Sequence, residues 1–275
     1  GAAENAINVG IDLAAHFDAT IELVHAVSAP HSRWPEIGTA ELEAAREAVR
    51  VKLEASLSGA RLPYVSEEHH IITQAGHAAE VILERAALEG TGLIVLGGHR
   101  RHGLFNIGNT VKGVMAQAGC PVWVQTGPVK SATKRILVPV DLSDESLAAL
   151  AAARTWALSL GATLTVLHCF VSPELYYGHG YPVPGPTYVV DKLRDDARAE
   201  FEAVMAGLDW AGLEHQAVFV ESNPATQILE MQDDIDLVVM GTHGRTGLSS
   251  MILGNVTYTI IREGTVPVVA LRHPD

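Results

Sequence analysis

The sequence predicts an α/β chain made of two tandem copies of one unit, each a mainly parallel five-stranded sheet flanked by helices. Two observations carry this expectation. The first is internal repetition, because "LIVLGGHRRHGL" (93–104) and "LVVMGTHGRTGL" (237–248) agree at seven of twelve positions without a gap, 144 residues apart. "ATIELVHAV" (19–27) overlies "ATLTVLHCF" (162–170) at an offset of 143, and "CPVWV" overlies "VPVVA" further on. The second is the alternation of short β-rich runs with longer Ala- and Leu-rich segments, the pattern of successive βαβ units.

Taken in order, the second copy supplies strands at 135–141 (RILVPVD), 163–171, 215–222, 237–242 and 267–272. Helices fall between them at about 144–160, 188–207, 224–233 and 254–264. The Pro-, Ser- and Lys-containing stretch 128–134, which follows Gly127, reads as a linker, giving domains at 1–127 and 135–275. The first copy opens on "GAAENAINVGIDLAAHFDAT", which matches the first helix of the second copy, and its first strand, the counterpart of RILVPVD, is not evident. That strand would be central, and leaving it out would orphan backbone groups in the core. The expectation adopted is that the sequence as read has lost this strand, not that the first half is built differently.

The 275 residues are 48% apolar, ample for two packed cores. A formal net charge of −13 argues against general nucleic-acid binding, which rests on Lys and Arg neutralising phosphate. Two cysteines, Cys120 and Cys169, fit a reducing compartment better than a disulfide framework. No apolar run reaches the length of a membrane span, and the first residues do not resemble a secretion signal, so the expected location is cytoplasmic.

The most informative stretch is "GTHGRTGLSSMILGNVT" (241–257), with four glycines, one His, one Arg and no acid. It joins a strand to a helix, the place where α/β folds bind anions. Glycines at 241, 244 and 247 let the backbone approach a ligand closely, and Gly254 stands where the next helix starts. That helix has no acid before Glu263, whereas the helix at 144 begins with Asp144 and Glu145. A phosphate therefore belongs at the former helix and not the latter.

The spacing G-x2-G-x9-G at Gly241, Gly244 and Gly254, with "ILVPVDLSDESLAAL" (136–150) and the duplication, resembles the universal stress protein family in its tandem, Rossmann-like form, a group with the adenine nucleotide alpha hydrolase-like fold. The resemblance implies an ATP site in the second domain. Pro139, Val140 and Asp141 would meet base and ribose, and Cys169 would line the adenine pocket. Met240, Gly241, His243, Gly244, Gly254, Asn255, Val256 and Thr257 would cradle ribose and phosphates, with Mg²⁺ carried on the phosphates and held in part by Thr257 or Asp141. Asn255 stands where the family usually has Ser or Thr, so phosphate contact is expected to be weaker than usual. In the first copy Arg100 replaces the counterpart of Gly244, and only four residues separate Gly103 from Gly108 against six between Gly247 and Gly254. That copy reads as degenerate and free of nucleotide.

Thirteen histidines raise a metal hypothesis, but His69 and His70 are adjacent and would face opposite sides of a strand. His99 and His102 lack a Cys or carboxylate at metal-site spacing. His25 and His168 read as packing or hydrogen-bonding residues at equivalent strand ends. No catalytic residue is assigned, since the sequence holds no nucleophile elbow, no P-loop and no paired carboxylates at the loop. Residues 172–190 hold four of the six tyrosines and read as a lid or a partner-contact loop. The resemblance also implies an internal pseudo-dimer of the two domains through their last strands, with further homodimerisation and protein partners open. The expected function is a stress-response protein whose ATP occupancy alters its contacts, the alternatives being a nucleotide-independent interaction module and a slow ATPase.

Overall fold

The computed structural model describes residues 2–27, 38–56, 71–98, 100–101, 104–105, 107–130, 132–172, 187–242 and 253–272. The chain divides into two compact units, Gly1–Val129 and Lys130–Asp275. Unit one contains α1 (Ala2–Phe17), β1 (Leu23–Val27), α2 (Thr39–Ser56), β2 (Ile71–Ala75), α3 (Ala78–Glu89), β3 (Ile94–Gly97), β4 (Arg100–Arg101), β5 (Leu104–Phe105), α4 (Asn109–Gln117) and β6 (Val122–Gln125). Unit two contains β7 (Arg135–Pro139), α5 (Asp144–Leu160), β8 (Thr163–Phe170), α6 (Thr187–Ala206), β9 (His215–Glu221), α7 (Pro224–Glu230), β10 (Leu237–Gly241), α8 (Asn255–Glu263) and β11 (Val268–Leu271), with a short 3₁₀ turn at Gln232–Asp234.

The strands of unit two lie in the order β11-β10-β7-β8-β9, every neighbouring pair parallel. The expected five-stranded parallel sheet is present here. Every residue of β10 is buried, as are Ile136, Leu137 and Val138 in β7, so both faces of the sheet centre are covered. That explains why these strands read as continuous apolar runs and not as alternating ones. The helix ends follow local chemistry. Ser143 caps α5, its hydroxyl accepting from the Ser146 amide, and Gly161 closes α5 in the left-handed region at φ 59°. Asn223 caps α7 through its side chain, with Pro224 at the first helical position.

At the entry edge of the sheet one carboxylate ties the two central strands together. Asp236, 7% exposed and one residue ahead of β10, accepts from the backbone amides of Lys134 and Arg135 at the start of β7. It also accepts from Lys130 Nζ at 2.8 Å and Arg135 Nη2 at 2.9 Å. Return bonds complete the clamp, from the Asp236 amide to the Arg135 carbonyl and from Lys130 Nζ to the Ile235 carbonyl. Buried in this way, the carboxylate is fully satisfied, which is the condition under which burying a charge is tolerated.

Unit one departs from the five-stranded expectation among its described residues. Its strands form two separate parallel pairs, β1 with β2 and β3 with β6, and no described strand stands between β1 and β3 where β7 stands between β8 and β10. The repeat is otherwise visible in the packing, since the buried Ala6 and Ala14 of α1 correspond to the buried Ala149 and Ala157 of α5. β1 begins at Leu23, three residues later than its counterpart β8 would place it, and residues 163–165 of β8 are the ones that pair with 135–137 of β7. With no such partner, residues 20–22 have one ladder fewer to join. The loop expected after β3 carries an unanticipated antiparallel pairing, Arg100 with Phe105 and Arg101 with Leu104. Gly113 lets α4 approach α3, because a Cβ there would lie 2.8 Å from the Ala79 Cβ.

Burial pushes the Asp236 carboxyl up, but hydrogen bonds from Arg135 and Lys130, the Lys134 amide and the Lys130 charge outweigh it and hold the group well below the usual carboxylate range. The stability this contributes is fully present above the unfolded carboxylate value near 4 and is lost as pH falls through the lower folded value. Asp236→Ala is expected to cost about 2–4 kcal/mol at pH 7 in denaturant unfolding, and the difference from the unsubstituted protein to narrow below pH 4. An equal difference at pH 7 and pH 2 would contradict this account of the clamp.

Candidate functional site

In unit two the chain leaves β7 toward β8 and β9 on one side and returns to β10 and β11 on the other. The carboxyl ends of β7 and β10 therefore flank the point where the strand order reverses, the usual crevice for a ligand in an open parallel sheet. The register Val238↔Leu137, carried two and three residues further, sets Met240 level with Pro139 and Gly241 level with Val140. On the other flank Pro139 pairs with Leu167, so Asp141 is level with Cys169.

The turn that leaves β7 is tightly held. The Val140 amide donates to the Leu167 carbonyl at 2.8 Å, and Val140 is 4% exposed. Asp141, half-buried, accepts at Oδ1 from both the amide and the hydroxyl of Ser143, at 3.1 and 2.5 Å. Between them Leu142 lies at φ 64°, a conformation that a branched side chain rarely adopts. Asp141 thus organises its own turn and points one face of that turn at the crevice. Oδ1 of this carboxylate, expected from the sequence to meet ribose or Mg²⁺, is engaged with Ser143.

Across the crevice, the start of α8 is fastened to the end of β10. The Gly254 amide donates to the Thr242 carbonyl at 2.8 Å, and the Thr257 hydroxyl donates to the Gly241 carbonyl at 2.9 Å. The Thr242 amide in turn donates to Leu271 at the end of β11. Thr257 is 3% exposed, and its hydroxyl works as a clasp between α8 and the end of β10. The N-cap of α8 is Gly254, at φ −63° and ψ 148°, which offers no capping side chain, and the first turn holds no acid. The amides of Asn255, Val256 and Thr257 occupy first-turn positions, which have no intrahelical acceptor. Asn255 is exposed at the mouth. This is the arrangement that favours an anion. The contrast with α5 is direct, since α5 has a serine cap and two acids in its first turn.

Ten of the twelve sequence-predicted residues are described, and all ten lie along this one edge of the sheet: Pro139, Val140 and Asp141 after β7, Cys169 on β8, Met240 and Gly241 on β10, and Gly254 to Thr257 at α8. His243 and Gly244 lie outside the described residues, as do His69, His70, His99, His102 and most of the tyrosine-rich stretch. Sequence reasoning missed Ser143 and Thr242, and it gave His168 no link to the site. The S-x-x-S spacing at Ser143 was the available signal for the first, while the others are defined only by contacts across strands. In unit one α4 repeats part of the pattern, with Gly108 as a cap lacking a side chain and no acid in the first turn.

Cys169 sits level with Asp141, and burial pushes its thiol up to about 12; burial also raises Cys120, less strongly. A thiol so far from ionisation is a poor nucleophile. Iodoacetamide at pH 8 is expected to label Cys169 in the native chain at least tenfold more slowly than in the denatured chain. Equal rates would show that the residue is not enclosed at this strand end.

The model of the universal stress protein family matches residues 1–125 and again 132–272. A universal stress protein of Mycobacterium tuberculosis is 27% identical over 276 residues, covering 92% of this chain and 87% of that protein. One from Methanocaldococcus jannaschii is 30% identical over 145 residues, covering 51% of this chain and 83% of that one. Among solved structures, a universal stress protein from Archaeoglobus fulgidus aligns with a TM-score of 0.60 at 19% identity, over 93% of this chain and 87% of that one, a likeness of fold. Two matches in tandem cover nearly the whole chain, and the chain belongs to the universal stress protein family.

Proposed function

We propose that this protein is a stress-response regulator that binds one ATP in unit two, at the carboxyl ends of β7, β8 and β10, and that occupancy changes its contacts with other proteins. The observation that carries the reading is the start of α8. A glycine cap and an acid-free first turn, tied to the end of β10, face the crevice at the strand-order reversal. Phosphates on the Asn255–Thr257 amides would leave ribose and base toward Asp141, Val140 and Cys169. His243 and Gly244, which lie outside the described residues, would complete the phosphate cradle as the family resemblance implies, and Mg²⁺ would enter with the phosphates.

Binding without rapid turnover is the favoured form of the reading. Asp141 Oδ1 is engaged twice by Ser143, which suits a carboxylate that shapes a turn better than one that activates water. Cytoplasmic residence and pairing of the two repeats as a pseudo-dimer are proposed on the sequence pattern alone. A second reading, a nucleotide-independent interaction module, draws on Tyr188, Val189 and Leu193. These residues are 72%, 37% and 46% exposed on the first turns of α6, an apolar surface of the kind that partners cover.

Calorimetric titration of ATP with Mg²⁺ is expected to give about one site per chain, abolished by Gly244→Arg, which installs the residue found at the equivalent position 100. No heat, and no nucleotide retained through purification, would overturn the ATP reading in favour of the interaction module. Steady phosphate release from the unsubstituted protein that is lost in the variant would place it among slow ATPases.

A further inference from the structure

β8 carries a histidine that none of the proposed ligand contacts uses. His168 is 7% exposed, and its ring belongs to a triangular aromatic cluster, its centroid 5.5 Å from Phe201 of α6 and 5.4 Å from Phe219 of β9, at 22° and 26° to their planes, with the two phenylalanines 6.2 Å from each other. The Arg198 guanidinium lies over the Phe219 ring, 4.3 Å from its centroid. The imidazole Nδ1 is 2.8 Å from the Val140 carbonyl oxygen. A carbonyl only accepts, so Nδ1 carries the hydrogen and His168 is the donor.

That bond lands where the strained turn begins. Val140 is followed by Asp141, which folds back onto Ser143, and by Leu142 at φ 64°. A non-glycine residue in that region persists only when the flanking structure over-determines it. The flanks here are the Asp141–Ser143 bonds on one side and the His168–Val140 bond on the other. The repeat supplies a comparison inside the same molecule. His25 corresponds to His168, but it is exposed, and its neighbour across the ladder is Thr73 where His168 has Phe219. Unit one also has no described strand in β7's place for a histidine to brace. The enclosed histidine therefore accompanies the unit whose turn faces the crevice.

We propose that His168 is a positioning residue for the nucleotide site: by donating to the Val140 carbonyl from an aromatic slot, it holds the Val140–Ser143 turn in the shape that presents Asp141. This rests on the nucleotide reading of the site, and its structural half can be tested without nucleotide. Two substitutions separate the hydrogen bond from the packing. His168→Phe keeps a ring in the slot and removes the donor. His168→Asn removes the ring, yet places an amide nitrogen at the same bond distance from the backbone as Nδ1.

Hydrogen exchange on the ligand-free protein and ATP titration, run on both variants, give the test. In His168→Phe the Ser143 amide is expected to lose protection about tenfold and ATP affinity to fall about tenfold, while β10 amides keep their protection. His168→Asn is expected to recover most of both losses despite a lower Tm from the missing stack. Unchanged Ser143 protection in His168→Phe overturns the inference, whether or not ATP binds. So does an Asn variant as impaired as the Phe variant, which would assign the effect to packing. An unsubstituted chain that takes no ATP overturns the nucleotide reading instead, and the exchange result still decides whether His168 holds the turn.

Discussion

Pairing of β7 on both of its edges is the constraint on which the rest of unit two depends. Only with β8 on one side and β10 on the other are the carboxyl ends of three strands brought level, so that Asp141, Cys169 and Gly241 share one rim. The Asp236 clamp acts at the opposite end of the same strands. By holding the starts of β7 and β10 together it fixes their register, and in a parallel pair a register error at one end is carried to the other. Unit one offers the contrast within one chain, for without a described strand in that position β1 starts late and its histidine lies exposed.

The chemistry of the rim is one of backbone more than of side chains. The Gly254 amide and the Thr257 hydroxyl are spent fastening α8 to β10, Oδ1 of Asp141 is spent on Ser143, and Nδ1 of His168 on Val140. Among the described residues, what borders the crevice is the acid-free start of a helix and the turn that carries Asp141. Such a surface selects for negative charge and for close approach.

Much of this was legible in the sequence, and the reason is physical. Strands buried on both faces must be apolar throughout, so 136–138 and 237–241 announced themselves as runs. A helix that starts with Ser-Asp-Glu and one that starts with Gly-Asn-Val differ in the charge they tolerate nearby, so the anion end could be assigned from composition. Duplication supplied the rest of the topology, including the expectation that a central strand of the first half was not evident. The features that were not legible depend on atoms far apart in the chain. Asp236 meets Lys130 and Arg135 across about a hundred residues, His168 meets Phe201 and Phe219 from other elements, and the left-handed Leu142 gave no signal because glycine or asparagine is the residue that usually marks such a turn. The hairpin of Arg100–Arg101 with Leu104–Phe105 was hidden by its length, two residues a side, below what any periodicity can show.

The most direct test of the central claim is to map backbone amide shifts by NMR as ATP and Mg²⁺ are added. The account predicts that the largest changes fall on Asp141 to Ser143, Cys169, Gly241, Thr242 and Gly254 to Tyr258, with the counterparts around Gly97 and Gly108 to Val111 unmoved. Changes centred on those unit-one residues, or none at saturating ATP, would contradict it.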